Sequence, residues 1–99
     1  MNTNAIIAQA CHNSATARNI AAFAGIDVLS ECADAFRAGK AERRGDVYGN
    51  AGMAYEMARG VAQRCRALRA GNGNADIMRR EARDMAINAA YAAGCAAAF

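Results

Sequence analysis

The chain has 99 residues, of which 55% are apolar, and its formal net charge at neutral pH is +3. This length is typical of a single domain, and the charge falls short of the strongly basic class of nucleic-acid-binding domains. Alanine and arginine are abundant, proline is absent and runs of β-branched residues are missing, so the composition favours long helices and excludes strands.

The N-terminal segment predicts a helix that Thr3 caps and that begins at Asn4. Asn13 and Ser14 prefer caps to helix interiors, so the sequence permits either one long helix or two short ones. The apolar stripe is spaced by threes and fours, and Ile20 and Phe23 widen it. Its members are Ile7, Ala10, Ser14, Ala17, Ala21 and Ala24.

Gly25 is expected to end the first helix, and a second helix follows it. Asp27 suits the first turn of this second helix, because the helix dipole favours a carboxylate there. Leu29, Cys32 and Phe36 share one face of this helix, which we expect Gly39 to end. Residues 40–45 are polar and charged and therefore predict a linker.

Residues 46–99 predict an antiparallel helical hairpin with its turn at residues 71–74, Gly-Asn-Gly-Asn. Asp46 is the expected N-cap of the first hairpin helix, with Asn50 as a rival one turn later, and Asn74 with Asp76 begins the second. Each helix carries a narrow apolar row with spacings of four and three. The rows are Val47, Ala51, Ala54, Ala58, Val61, Cys65 and Leu68, then Met78, Ala82, Met85, Ala89, Ala92, Ala96 and Phe99.

The whole sequence thus predicts an all-α domain, residues 1–99, in which three or four helices form a bundle. The hairpin is its spine, and the N-terminal helices in residues 1–39 cover it. Small residues predict close helix contacts, because a glycine inside a helix costs about 1 kcal/mol relative to alanine and needs a compensating reason. Gly49, Gly52 and Gly60 are such residues in the first hairpin helix.

A second row of small residues in the last helix, Ala90, Gly94 and Ala98, is spaced by four and is free to pack on another helix or another subunit. Alanine buries little area, so one chain gains a modest core, and we expect these residues to form the interface of a homodimer.

The cysteines and the single histidine predict no chemistry. Cys11, Cys32, Cys65 and Cys95 include no Cys-x-x-Cys pair, so we expect reduced, buried thiols that act as small apolar side chains. His12 has no neighbouring metal-ligand pattern and no recognisable catalytic third group. We therefore expect no metal, no cofactor and no enzymatic activity.

The sequence also predicts a cytoplasmic protein that does not enter a membrane. The N-terminal segment has neither a basic region nor a continuous apolar run, so it lacks the features of a secretory signal. The longest uncharged run, from Met85 to Phe99, is shorter than the ~20 residues that a spanning helix needs.

Arginine is the residue type that most suggests a function. Antiparallel folding gathers one group at the turn end of the hairpin: Arg64, Arg66, Arg69, Arg79, Arg80 and Arg83. A second basic group lies in and before the linker: Arg37, Lys40, Arg43 and Arg44. Guanidinium groups recognise carboxylates and phosphates in planar geometry. The alternative is a solvated helix end with local pairs such as Arg80–Asp84.

These features favour a non-enzymatic interaction protein that binds a protein or nucleoprotein partner with an acidic surface, through the six turn-end arginines with Arg43 and Arg44. By analogy of size and class, such proteins include phage-encoded inhibitors of host defence, anti-CRISPR proteins among them. The alternative is a nucleic-acid-binding dimer of helical hairpins, whose plan is similar to that of the RNA-binding plasmid regulator Rop. Tyr48, Tyr55 and Tyr91 lie away from the turn and count against base stacking there.

Overall fold

The computed structural model describes residues 2–99, which fold into four helices and contain no strand. The helices are α1 (Thr3–Phe23), α2 (Leu29–Glu42), α3 (Val47–Ala70) and α4 (Ala75–Ala97). The predicted all-α bundle built on a C-terminal helical hairpin is confirmed.

The helices alternate in direction along the chain. The thiol of Cys65, near the end of α3, donates a hydrogen bond to the carbonyl oxygen of Ile20, near the end of α1, over 3.6 Å. Glu31 at the start of α2 pairs with Arg83 near the start of α4. Hence α1 and α3 run in one direction, and α2 and α4 run in the opposite direction.

Helix α4 is the centre of the bundle, because it packs against all three other helices, whereas α1 and α2 hardly touch each other. Its buried residues lie on most sides of the helix, as expected of a central helix. All of them are small: Ala82, Ala86, Ala89, Ala90, Ala92, Ala93, Gly94, Cys95 and Ala96. No helix within residues 2–99, α4 included, combines the length and apolar character needed to span a membrane.

The contact between α2 and α4 brings two backbones together at a pair of glycines. A β-carbon on Gly94 would overlap the carbonyl oxygen of Phe36 and lie 2.9 Å from its carbonyl carbon. A β-carbon on Gly39 would overlap the carbonyl oxygen of Tyr91 and lie 3.0 Å from the amide nitrogen of Cys95. The two helices can approach this closely only because both positions lack a side chain.

This contact corrects the expectation for the second row of small residues. Ala90 and Gly94 are buried, and α2 of the same chain lies against Gly94, so these two residues do not offer a surface to a second subunit. Ala98 is half-buried at the end of α4. The small residues serve packing within one chain.

Helix α1 is one continuous helix through Asn13 and Ser14, which decides between the two predicted alternatives. Its N-cap is Asn2 rather than Thr3, because the Asn2 side-chain oxygen accepts a hydrogen bond from the Ala5 amide over 2.8 Å. The buried stripe begins at Ile6 instead of Ile7, and its residues are spaced by four and three: Ile6, Ala10, Ser14, Ala17 and Ala21.

Helix α2 is longer than predicted, since it continues to Glu42 and ends at Arg43, which adopts the left-handed conformation with φ 53°. Gly39 is therefore an interior residue and does not stop the helix. The expected linker at residues 40–45 is correspondingly short. Burial of Gly39 against α4 explains why a residue with poor helix propensity lies within this helix.

The boundaries of the hairpin are those that its capping residues predict. Asp46 accepts a hydrogen bond from the Gly49 amide over 2.7 Å, which excludes Asn50 as the rival cap. Gly71 ends α3 in the left-handed conformation, and Asn74 caps α4 through the Ile77 amide over 3.1 Å.

Among the glycines of α3, only Gly60 is in close contact with another helix, and there the contact is with a side chain rather than a backbone. A β-carbon there would lie 2.5 Å from the sulfur of Met85. The position of Gly52 faces open space, and Gly49 adjoins the side chain of Asp46, its own helix cap. None of the three glycines of this helix therefore marks close approach of another backbone, and that expectation is wrong for α3.

We expect Gly94→Ala to lower the free energy of unfolding relative to Gly52→Ala. Both substitutions stabilise the helix by the same propensity gain, about 1 kcal/mol. The difference between the two free energies of unfolding therefore measures the cost of the overlap with the backbone of α2, which we expect to be about 1–3 kcal/mol. Urea denaturation followed by circular dichroism measures the two free energies. Equal stabilities would contradict the close contact at Gly94.

Candidate functional site

The turn end of the hairpin carries six arginines, and we call it the arginine end. Helices α1 and α3 finish there and α4 starts there, so their terminal side chains share one end of the bundle. The guanidinium groups belong to Arg64, Arg66, Arg69, Arg79, Arg80 and Arg83. The grouping follows from antiparallel folding about the turn at residues 71–74.

Carboxylates of the same chain engage three of the six arginines. The Nε of Arg64 lies 2.9 Å from Oε2 of Glu81 in a partly buried pair that joins α3 to α4. Arg83 pairs with Glu31 of α2, and its Nη1 lies 3.7 Å from the Asp84 carboxylate.

The third of these arginines, Arg79, has its Nη1 3.9 Å from the carboxylate of Asp76. The expected Arg80–Asp84 pair is not formed, because Arg83 lies against Asp84 instead. The arginine end is therefore a mixed charged surface.

Phe23 adds an exposed aromatic ring to the arginine end. Its side chain is 76% exposed, and the guanidinium carbon of Arg69 lies 4.5 Å from the ring centre. The two residues border a shallow cavity of about 240 Å³, which is also lined by Ala24, Leu68 and Arg79. Phe23 does not join the buried stripe of α1, because two residues beyond Ala21 is about 200° around the helix.

Arg66 and Arg80 are the arginines of this end that remain free for a partner. Both are exposed, and neither has a carboxylate within ion-pair distance in the described part of the chain, residues 2–99. They share the arginine end with the Phe23–Arg69 pair, whose immediate arginine neighbour at the shallow cavity is Arg79.

The other two arginines predicted to bind a partner lie at the opposite end of the bundle. The guanidinium carbon of Arg43 is 5.2 Å from the ring centre of Phe99, and Nε of Arg44 is 3.8 Å from Oε2 of Glu42. Helix α4 has 23 residues, so its two ends are roughly 34 Å apart. The structure thus does not bring Arg43 and Arg44 together with the arginine end.

A separate groove lies between α1 and α2, because both helices pack on α4 and hardly touch each other. Its volume is about 330 Å³, and Ala90 of α4 lines it between the two helices. The other lining residues are Cys11, Ser14, Arg18, Cys32, Ala33, Phe36 and Arg37. Sequence reasoning missed this groove. The sequence feature that could have indicated the groove is a pair of polar residues four positions apart, Ser14 and Arg18, next to the alanines of the apolar stripe of α1.

The thiols differ in exposure. All four cysteines are free, and three are buried, whereas Cys11 is partly exposed in the groove. Burial raises the pKa of the Cys11 thiol, an effect that the charge of Lys40 opposes. Burial likewise raises the pKa of the Cys32 thiol, against the opposing charge of Arg18.

His12 and Tyr91 are the remaining titratable side chains of chemical interest. Between Asn2 and Phe99, no group of three histidine, cysteine or acidic side chains is arranged to hold a metal ion, and His12 is exposed. Tyr91 donates a hydrogen bond to the Glu42 carboxylate, which raises the pKa of its phenol to about 12. No protein-family model, curated protein sequence or solved structure matches the chain.

We expect a neutral alkylating reagent to modify Cys11 at least about tenfold faster than the buried thiols in the native protein, since exposure and thiolate fraction govern the rate. Because burial raises the pKa of Cys11, its rate should still increase with pH where a free thiol has levelled off. Mass mapping of the alkylated peptides measures both effects. Cys11→Ser is the control, and rapid native alkylation in this variant would contradict the burial of the other three thiols.

Proposed function

We propose that this chain is a non-enzymatic interaction protein that binds an acidic surface of a protein or ribonucleoprotein partner through its arginine end. The observation that supports the proposal is the exposed ring of Phe23 beneath Arg69, on the same end of the bundle as the unpaired Arg66 and Arg80.

This combination has the composition of an interface centre. Aromatic residues and arginine are enriched among the residues that contribute most to binding. Moving an exposed Phe side chain into a partner's apolar pocket is worth about 1.5–3 kcal/mol. The guanidinium groups around it bind carboxylates in a bidentate manner, which favours an acidic rim around that pocket.

The carboxylates at the arginine end favour a protein partner over a nucleic acid. Asp76, Glu81 and Asp84 lie among the arginines and neutralise part of their charge. This weakens attraction to the dense, uniform charge of a phosphate backbone more than attraction to a protein surface with a few separate carboxylates. The net charge of +3 is also modest for phosphate binding.

Nucleic-acid binding, in the manner of a Rop-like hairpin dimer, is the second candidate. The observation in its favour is again Phe23, because an exposed ring beside arginines offers a platform on which a base can stack. The expectation against base stacking rested on Tyr48, Tyr55 and Tyr91 and did not include this residue of α1. Steep loss of binding with salt is the signature of this candidate.

The proposal includes three further elements. First, binding inhibits the partner. This element rests on analogy alone, because the chain has the size and helical class of phage-encoded inhibitors such as anti-CRISPR proteins. The protein acts in the cytoplasm. It works as a homodimer, whose contact excludes Ala90 and Gly94 because these residues are buried within the chain.

Reversing the charge of Arg66, Arg69 and Arg80 to glutamate should abolish partner capture from a lysate while helicity is kept. The matched control changes Lys40, Arg43 and Arg44 to glutamate at the opposite end, and both variants move the net charge from +3 to −3, because each reversal subtracts 2.

Each capture is divided into nuclease-treated and untreated halves. A protein that survives nuclease, is lost from the arginine-end variant and is kept by the control supports the proposal. Loss of all captured protein on nuclease treatment supports the nucleic-acid candidate. Equal capture by both variants contradicts the arginine end as the binding surface.

Phe23→Ala should weaken binding to the captured partner by about 2 kcal/mol, roughly thirtyfold, because it removes the apolar centre of the contact. Phe99→Ala is a close control, since Phe99 is also exposed and also lies beneath an arginine, at the opposite end. Calorimetric titration with the purified partner compares the two affinities. A larger effect from Phe99→Ala would assign binding to the other end.

A further inference from the structure

The groove between α1 and α2 is lined by Arg18, a partly buried arginine that has no ion-pair partner in the described part of the chain. The Nε of Arg18 is buried and has no hydrogen-bond partner among residues 2–99. Buried polar groups in native proteins are almost always hydrogen-bonded, so an exception calls for a specific explanation. A ligand in the groove cannot reach Nε itself, so an anion would bind the accessible part of the Arg18 guanidinium group, which lines the groove.

The acidic residues near the groove are engaged elsewhere. Asp34 pairs with Arg37, and Glu31 pairs with Arg83, whereas no carboxylate in the described chain lies within ion-pair distance of Arg18. The charge of Arg18 is felt inside the groove, because it opposes the rise in the Cys32 pKa. The groove therefore has a net positive character near Arg18.

The remaining lining suits an organic anion. Ser14 is only 3% exposed and offers a hydroxyl, and the two thiols are weak donors that burial keeps neutral, so they do not repel negative charge. Phe36 and Ala90 supply an apolar wall and floor. The groove volume of about 330 Å³ lies at the lower end of small-molecule sites.

We propose that the groove between α1 and α2 binds a small carboxylate, with the carboxylate on Arg18 and an apolar body against Phe36 and Ala90. Arg18 is the specificity-determining residue, because a planar guanidinium matches a planar carboxylate. This site is distinct from the arginine end and does not depend on the function proposed for it.

Benzoate and benzamide are suitable probes, since they share their shape and differ in charge. Backbone amide resonances of the wild-type protein are followed during titration with each probe. We expect benzoate to shift the resonances of the groove residues saturably, and benzamide to bind at least about tenfold more weakly because it makes no ion pair. Equal binding of the two probes, or shifts spread over exposed arginines elsewhere, would overturn the proposal.

Variants test the role of Arg18. Arg18→Gln should weaken benzoate binding at least about tenfold, whereas Arg59→Gln, which removes an exposed arginine outside the groove, should leave it unchanged. Unchanged affinity in Arg18→Gln would overturn the assignment. The comparison of benzoate with benzamide on the wild type decides the proposal even if Arg18→Gln fails to fold.

Inorganic phosphate distinguishes a site for a carboxylate with an apolar body from a site for any oxyanion. We expect phosphate to compete with benzoate weakly, because it makes no contact with Phe36. If phosphate bound as tightly as benzoate, the proposed contact of an apolar body with Phe36 and Ala90 would be wrong.

Discussion

The architecture depends on the close backbone contact between α2 and α4 at Gly39 and Gly94. Neither position has room for a β-carbon, because a backbone carbonyl oxygen of the facing helix occupies that space in each case. The rest of α4 is also lined by small residues, since its buried positions hold only alanine, glycine and cysteine. A core built from small side chains gains little area per residue, so it relies on short distances between helices and on contacts that α4 makes with three partners.

The central place of α4 also creates the two candidate sites. Because α1 and α2 each pack on α4 rather than on each other, they leave a groove between them in which Arg18 lacks a partner. Because α1 runs parallel to α3, its last residue, Phe23, reaches the end of the bundle where the hairpin arginines gather. One packing arrangement thus places an unpaired cation in a cleft and an exposed aromatic ring on a charged surface.

The two ends of the bundle resemble each other in one contact and differ in charge. At each end an arginine lies over an exposed phenylalanine, Arg69 over Phe23 and Arg43 over Phe99. The arginine end also carries further guanidinium groups mixed with carboxylates. Some of these groups form ion pairs between helices, and others form ion pairs within one helix. The exposed pairs, Arg79–Asp76 and Arg83–Asp84, contribute little to stability, so their arrangement is free to serve recognition.

The sequence by itself determined the features that arise within a few residues along the chain. Asp46 and Asn74 each hydrogen-bond an amide three residues on, and Gly71 adopts the left-handed conformation, so local chemistry fixed the hairpin boundaries. Contacts between distant residues decided the rest. Gly39 is interior because α4 lies against it, and Phe23 is exposed because α1 faces the core with its alanines. Arg18 has no ion-pair partner because the nearby carboxylates of α2 pair with Arg37 and Arg83. The periodicity of one helix cannot specify these, since they depend on which neighbour each face meets.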